Sequence, residues 1–314
     1  MDFKSVFFNE FNRLRSGWRA AFFSLSVFLA IILILTPIVA VMLALPTGFS
    51  STNLLGYVLQ FSVSFATTLF FGWLFGKIFE DLPFRALGAW FTRNWFKDLV
   101  FGLIIGVISL VLAVLIAYLF GGLTFQFNES HGSSAILLTL GATLLIFIFG
   151  AAFEEVFFRG YLLQTLSRAK LFSVGLLITS VFFASIHNAN PGANLFTWFN
   201  TFLAGIWLGI AYFKTRNLWL PFGVHLTWNW FQGSVFGINV SGLEHLATAP
   251  VMKATDAGPT WLTGGSYGIE GGLACTFALI ISTLLIYFLP FLKPTEEMLA
   301  FSSKEQPKQL RAER

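Results

Sequence analysis

Two carboxylates and a guanidinium, Glu154, Glu155 and Arg159, interrupt a stretch from Phe149 to Gly160 that is otherwise apolar on both sides. An ionisable side chain at membrane depth costs about 2.5 to 3.5 kcal/mol on insertion scales unless it is paired or faces water, so such groups mark a functional site. On a helix, Glu155 and Arg159 are one turn apart and can pair. Glu154 points about 100° away from Glu155 and is left without that partner, which makes it the candidate base. A buried network that only fixes helix packing would use the same three residues.

Two further polar sets follow. His187 ends the apolar run that starts at Ser173, with Asn188 and Asn190 just beyond it. Residues 154 and 187 are symmetric about 170–171, beside the polar, basic Ser167-Arg168-Ala169-Lys170. If one helix reverses there, Glu154 and His187 each lie about 16 residues, or about 24 Å, from the turn and reach the same depth. His225 and Asn229 share a helix face and can both donate to one oxygen. A carboxylate to take a proton from water, a histidine beside it and a donor pair for a developing oxyanion are what peptide hydrolysis requires. Taken singly, His187 and His225 also fit helix-end residues, and Asn229 fits a bond to a neighbouring helix.

The elements that must hold these groups are membrane helices. Of the 314 residues 56% are hydrophobic and only 11% charged, far from the balance of a soluble domain. Eight spans are expected, at 20–45, 54–78, 99–120, 135–158, 171–188, 194–213, 218–238 and 269–291. The resulting fold class is all-α, a polytopic membrane protein with a polar site inside the helix bundle. Residues 80–98 read as an interfacial amphipathic helix, 239–268 as an extracytoplasmic loop and 292–314 as a disordered cytoplasmic tail. Residues 1–19 are then a cytoplasmic N-terminal segment, 20–98 two spans plus the interfacial helix, and 99–238 a catalytic core of five spans. With eight spans every Lys and Arg except Lys253 falls on one side, which places both termini in the cytoplasm. Gly72/Gly76, Gly102/Gly106 and Gly205/Gly209 are read as points of close helix packing. The net charge of +4 reports topology and not nucleic-acid binding, because apolar spans separate the basic residues. One cysteine, Cys275, excludes a disulfide framework and a cysteine-based metal site.

Glu154-Glu155-x-x-x-Arg159, Phe183-x-x-x-His187 and His225-x-x-x-Asn229, in that order on successive spans, resemble the three motifs of the CPBP (Abi) family. That family includes the type II CAAX prenyl endopeptidases and bacterial bacteriocin-processing and abortive-infection proteins. The resemblance covers about residues 99–238. It implies intramembrane proteolysis of a membrane-associated peptide or protein, lipidated or not, in a multi-pass protein of the bacterial inner membrane. Glu154 resembles the family's water-activating glutamate, aided by His187, and His225 and Asn229 resemble its oxyanion pair.

No cofactor is expected on this reading. The alternative is zinc held by Glu154, His187 and His225, a two-histidine, one-carboxylate set with an open position. That design needs a further general base, and Glu155 is committed to Arg159. Gly264-Gly265-Ser266-Tyr267-Gly268 matches the nucleophile-elbow pattern but follows no strand, so Ser266 is not expected to act. His131 and His245 fall in extracytoplasmic loops, and some of the 40 phenylalanines can line an entry groove for an apolar or lipidated substrate. A non-catalytic scaffold or bacteriocin-immunity protein with the same fold is the competing reading.

Overall fold

A computed structural model describes residues 3–44, 50, 54–244 and 246–302. A short helix α1 (Phe3–Phe7) precedes α2 (Ser16–Ala44), α3 (Leu54–Glu80) and α4 (Trp95–Leu119). Strand β1 (Leu123–Phe127) leads to α5 (Ser133–Glu155), which runs through a π-helical stretch, Val156–Leu162, into α6 (Leu163–Arg168). The chain reverses over 169–171 into α7 (Phe172–Ile186), then continues as α8 (Leu195–Thr215) and α9 (Trp219–Trp230). A second π-helical stretch, Phe231–Val235, follows α9. After β2 (Met252–Asp256) come α10 (Thr260–Thr263), α11 (Leu273–Phe288) and α12 (Glu296–Ser302).

The protein is an all-α, multi-pass membrane protein. Among the described residues six helices are long and apolar enough to cross a bilayer, the longest being the continuous Ser133–Arg168 rod. The other two expected spans are shorter: α9 has 12 residues before its π-helical extension, and α11 has 16. Hydropathy marks where a run is apolar, whereas the glycines from 264 to 272 fold the start of the last run into 3₁₀ turns that delay α11.

Two further expectations are corrected, and a third gains detail. Residues 80–98 form a single 3₁₀ turn, Phe84–Leu87, packed under Gly72 of α3, not an interfacial helix. Residues 239–268 connect the helices as a loop that carries β2, antiparallel to β1 from Leu123 opposite Asp256 to Phe127 opposite Met252. The tail is ordered at its start, where α12 buries Met298 and the Ser302 carbonyl accepts from Ser167 Oγ. Residues 303–314 and His245 lie outside the described residues.

The helices that carry the site are set by close approach. A Cβ on Gly106 would strike the Val224 carbonyl, and one on Gly223 would strike the Leu99 carbonyl, so α4 and α9 can touch only without side chains there. Gly205 meets Ser180, and Gly209 meets Leu176, which brings α8 onto α7. Asn194 starts α8 with a capping box, its side chain accepting from Phe196 and Thr197 N–H while Thr197 Oγ1 accepts from its own N–H. The 215–218 link is buried, with Asn217 Nδ2 donating to Asp98 and Leu218 N–H to the Gly88 carbonyl. That buried link carries the start of α9 inward, and His225, only nine residues past Arg216, comes within 3.7 Å of Glu154.

Candidate functional site

Glu155 and Arg159 form the ion pair that their spacing predicts. Arg159 Nη1 lies 3.0 Å from Glu155 Oε1, with both side chains about 98% buried or more. Its Nη2 donates to the Gly205 carbonyl at 3.1 Å, and its carbon centre stands 5.0 Å from the Phe183 ring centroid. The guanidinium is therefore held from α5, α7 and α8 together. The pairing occurs where the α-helix widens to π, a feature that concentrates at functional sites because it re-aims side chains.

Glu155 has a second role that spacing did not reveal. His225 Nδ1 is 2.9 Å from the same Glu155 Oε1. A carboxylate can only accept when ionised, so Nδ1 carries the proton and Glu155 fixes the ring. The opposite nitrogen, Nε2, then faces Glu154, 3.7 Å from its Oε2. That Glu154 oxygen is buried and makes no hydrogen bond.

His187 closes α7, and its Nδ1 lies 2.7 Å from the Phe183 carbonyl. A carbonyl accepts, so Nδ1 is again the protonated atom and Nε2 is the remaining nitrogen. Asn229 lies one turn beyond His225. Glu154, His187, His225 and Asn229 all line one cavity of about 230 Å³. The four sequence-derived candidates are thus brought together, with Glu155 and Arg159 supporting them from behind.

The far end of the cavity comes from residues the sequence reading did not select, among them Asn190, Asn200, Ser241 and Glu270. Glu270, in the loop ahead of α11, accepts from Ser241 Oγ at 3.0 Å, and burial pushes its carboxyl above the usual carboxylate range. Asn200 Nδ2 holds that loop through the Glu270 carbonyl at 2.8 Å. An acid at the edge of an apolar run was the available signal for Glu270. Its partners come from a loop whose folding hydropathy does not report.

Among the described residues no three His, Cys, Asp or Glu side chains form a group that could hold a metal ion. Glu154, His187 and His225 border the same cavity without converging on a point, and Glu155 already occupies His225 Nδ1. Ser266 sits in a 3₁₀ turn after α10, not at a strand-to-helix turn, and His131 bonds Asn128 on an exposed loop.

Residues 136–231 match the family model described as type II CAAX prenyl endopeptidase Rce1-like. That segment is similar to the Rce1-like family. The matched segment contains the glutamate pair, Arg159, both histidines and Asn229, in agreement with the CPBP resemblance of the motifs. CAAX prenyl protease 2 of Methanococcus maripaludis is 32% identical over 120 residues, 38% of this chain and 42% of that protein. The uncharacterized protein YyaK of Bacillus subtilis is 27% identical over 208 residues, 60% of this chain and 64% of that protein. The chain therefore spans less than two thirds of the length of either relative, and no solved structure matches it. Glu270 lies outside the family match.

Proposed function

We propose that this protein is an intramembrane endopeptidase that hydrolyses a peptide bond of a membrane-associated peptide or protein by glutamate-activated water. The observation that carries the reading is Glu154, whose buried Oε2 makes no hydrogen bond, lining a cavity that it shares with two imidazoles and an amide. Agreement with a CAAX endopeptidase model across the segment holding all four side chains supports it.

Glu154 removes a proton from a water in the cavity as the water oxygen bonds to the scissile carbonyl carbon. The carbonyl oxygen becomes an oxyanion. Asn229 donates to it through its side-chain amide, and His225 donates through Nε2. Because His225 Nδ1–H is committed to Glu155, donation from Nε2 requires the imidazolium, for which Glu155 is the counter-ion. The ion pair with Arg159 holds Glu155 in place, so these two are positioning residues. His187, with Nδ1–H on the Phe183 carbonyl, uses Nε2 to orient the water and relay its proton. The C–N bond breaks, and the proton taken by Glu154 leaves on the departing amine.

No step needs a metal. The protein acts in the inner membrane of a bacterium with both termini in the cytoplasm, residues 99–238 forming the catalytic core and the substrate lying in or on the bilayer. The test is cleavage of membrane-associated reporter peptides by the purified full chain, with and without a chelator. Glu154-dependent cleavage that survives chelation is expected. Cleavage lost to chelation and restored by zinc would replace the mechanism with the metal one. Absence of Glu154-dependent cleavage across prenylated and unmodified reporters would favour the scaffold reading.

A further inference from the structure

A second cavity, of about 740 Å³, lies at the basic end of the bundle, where α2 begins and α6 turns into α7. Arg15, Arg19, Arg168 and Lys170 line it, with Glu10 as the acidic side chain on its wall. Arg168 and Arg19 are already fixed against Glu80, Arg168 through contacts of 2.6 and 2.8 Å and Arg19 at 3.4 Å. Four cations thus face two carboxylates, and the pocket keeps a positive surplus. Arg15 is exposed and oriented by donation from Nε to the Ser5 carbonyl at 2.8 Å. Lys170 is exposed on a left-handed backbone, φ 62°, a place where glycine or asparagine is the commoner residue.

The surroundings say which kind of anion fits. Trp18 stands at the rim, 5.2 Å from the Phe7 ring and 6.1 Å from Phe22. From the rim, α2 exposes Phe22, Leu25 and Leu29, while Leu171 just before α7 and Val174 and Ile178 on it are exposed. These are two apolar stripes at helical spacing that start at the same basic pocket and run along neighbouring helices, which touch at Phe28 and Phe182. A cationic pocket, an interfacial tryptophan and two apolar tracks below it match a phosphate headgroup carrying two acyl chains.

We propose that this pocket binds the headgroup of an anionic phospholipid, its phosphate between the exposed Arg15 and Lys170 and its chains along α2 and α7. The proposal is independent of the proteolytic reading.

The test is native mass spectrometry of the detergent-purified full chain, titrated with phosphatidylglycerol, phosphatidylcholine and inorganic phosphate. Phosphatidylglycerol should bind at least about tenfold more tightly than phosphatidylcholine. The Arg15→Glu, Lys170→Glu double variant should lose that preference while cleavage stays unchanged. If charge reversal impairs folding, the Arg15→Gln, Lys170→Gln pair should still reduce the preference several-fold. Equal binding of the two lipids by the parent chain, or an undiminished preference in a folded variant, would overturn the proposal. Displacement of phosphatidylglycerol by millimolar inorganic phosphate alone would make the pocket a phosphate site and overturn the lipid assignment.

Discussion

Two buried carboxylate clusters lie in this bundle, and they are built to opposite specifications. Glu80, at the end of α3, receives both nitrogen edges of Arg168 and the flank of Arg19, while Arg168 also donates to Gln164 at 2.8 Å. Two permanent cations serve one carboxylate. Around Glu154 and Glu155 the ratio is reversed, with one arginine and one titratable histidine serving two acids, and Glu154 Oε2 left unbonded. Saturation fixes helices. On the proposed mechanism the deficit leaves a group able to exchange a proton, so the same residue types serve as a clamp in one cluster and as chemistry in the other.

The contrast can be broken from either side. Replacing Arg168 by Met removes both short contacts to Glu80 and leaves it Arg19 at 3.4 Å, which should cost up to about 3 to 5 kcal/mol of stability, read as a lower thermal midpoint in detergent. The fraction that remains folded should cleave at the parent rate. Asn229→Ala should do the reverse, slowing cleavage by about 10² to 10³ through loss of an oxyanion donor while the midpoint barely moves. Glu155→Gln preserves volume but removes the counter-ion of Arg159 and His225, so both readouts should fall, with cleavage down by about tenfold or more. Chelator treatment of the parent chain should change neither rate nor midpoint if the proposed metal-free mechanism holds.

What was legible in the sequence followed from local geometry and symmetry. One-turn spacing is enough to pair Glu155 with Arg159 and to align His225 with Asn229. The symmetric placement of Glu154 and His187 about the 169–171 turn is enough to bring them to one cavity. The Glu80–Arg168 clamp was not legible, because 88 residues separate its partners and each looks like an ordinary flanking charge. The same holds for His225 on Glu155, 70 residues apart. The π-helical stretches after Glu155 and Trp230 leave no hydropathy trace, since widening a helix by one residue per turn changes which way side chains point and not how apolar they are. Glu270 escaped notice for a related reason: the glycine-rich loop that delivers it folds back onto the cavity through contacts with Ser241 and Asn200.

The division of labour between the two clusters is tested most directly by making the same isosteric change in each, Glu154→Gln and Glu80→Gln, and measuring cleavage per folded molecule together with the thermal midpoint. Glu154→Gln should lower cleavage by about 10³ with the midpoint unchanged, and Glu80→Gln should lower the midpoint by several degrees with cleavage intact. A Glu154→Gln protein that folds and cleaves as fast as the parent, or two variants that lose the same property, would contradict the account.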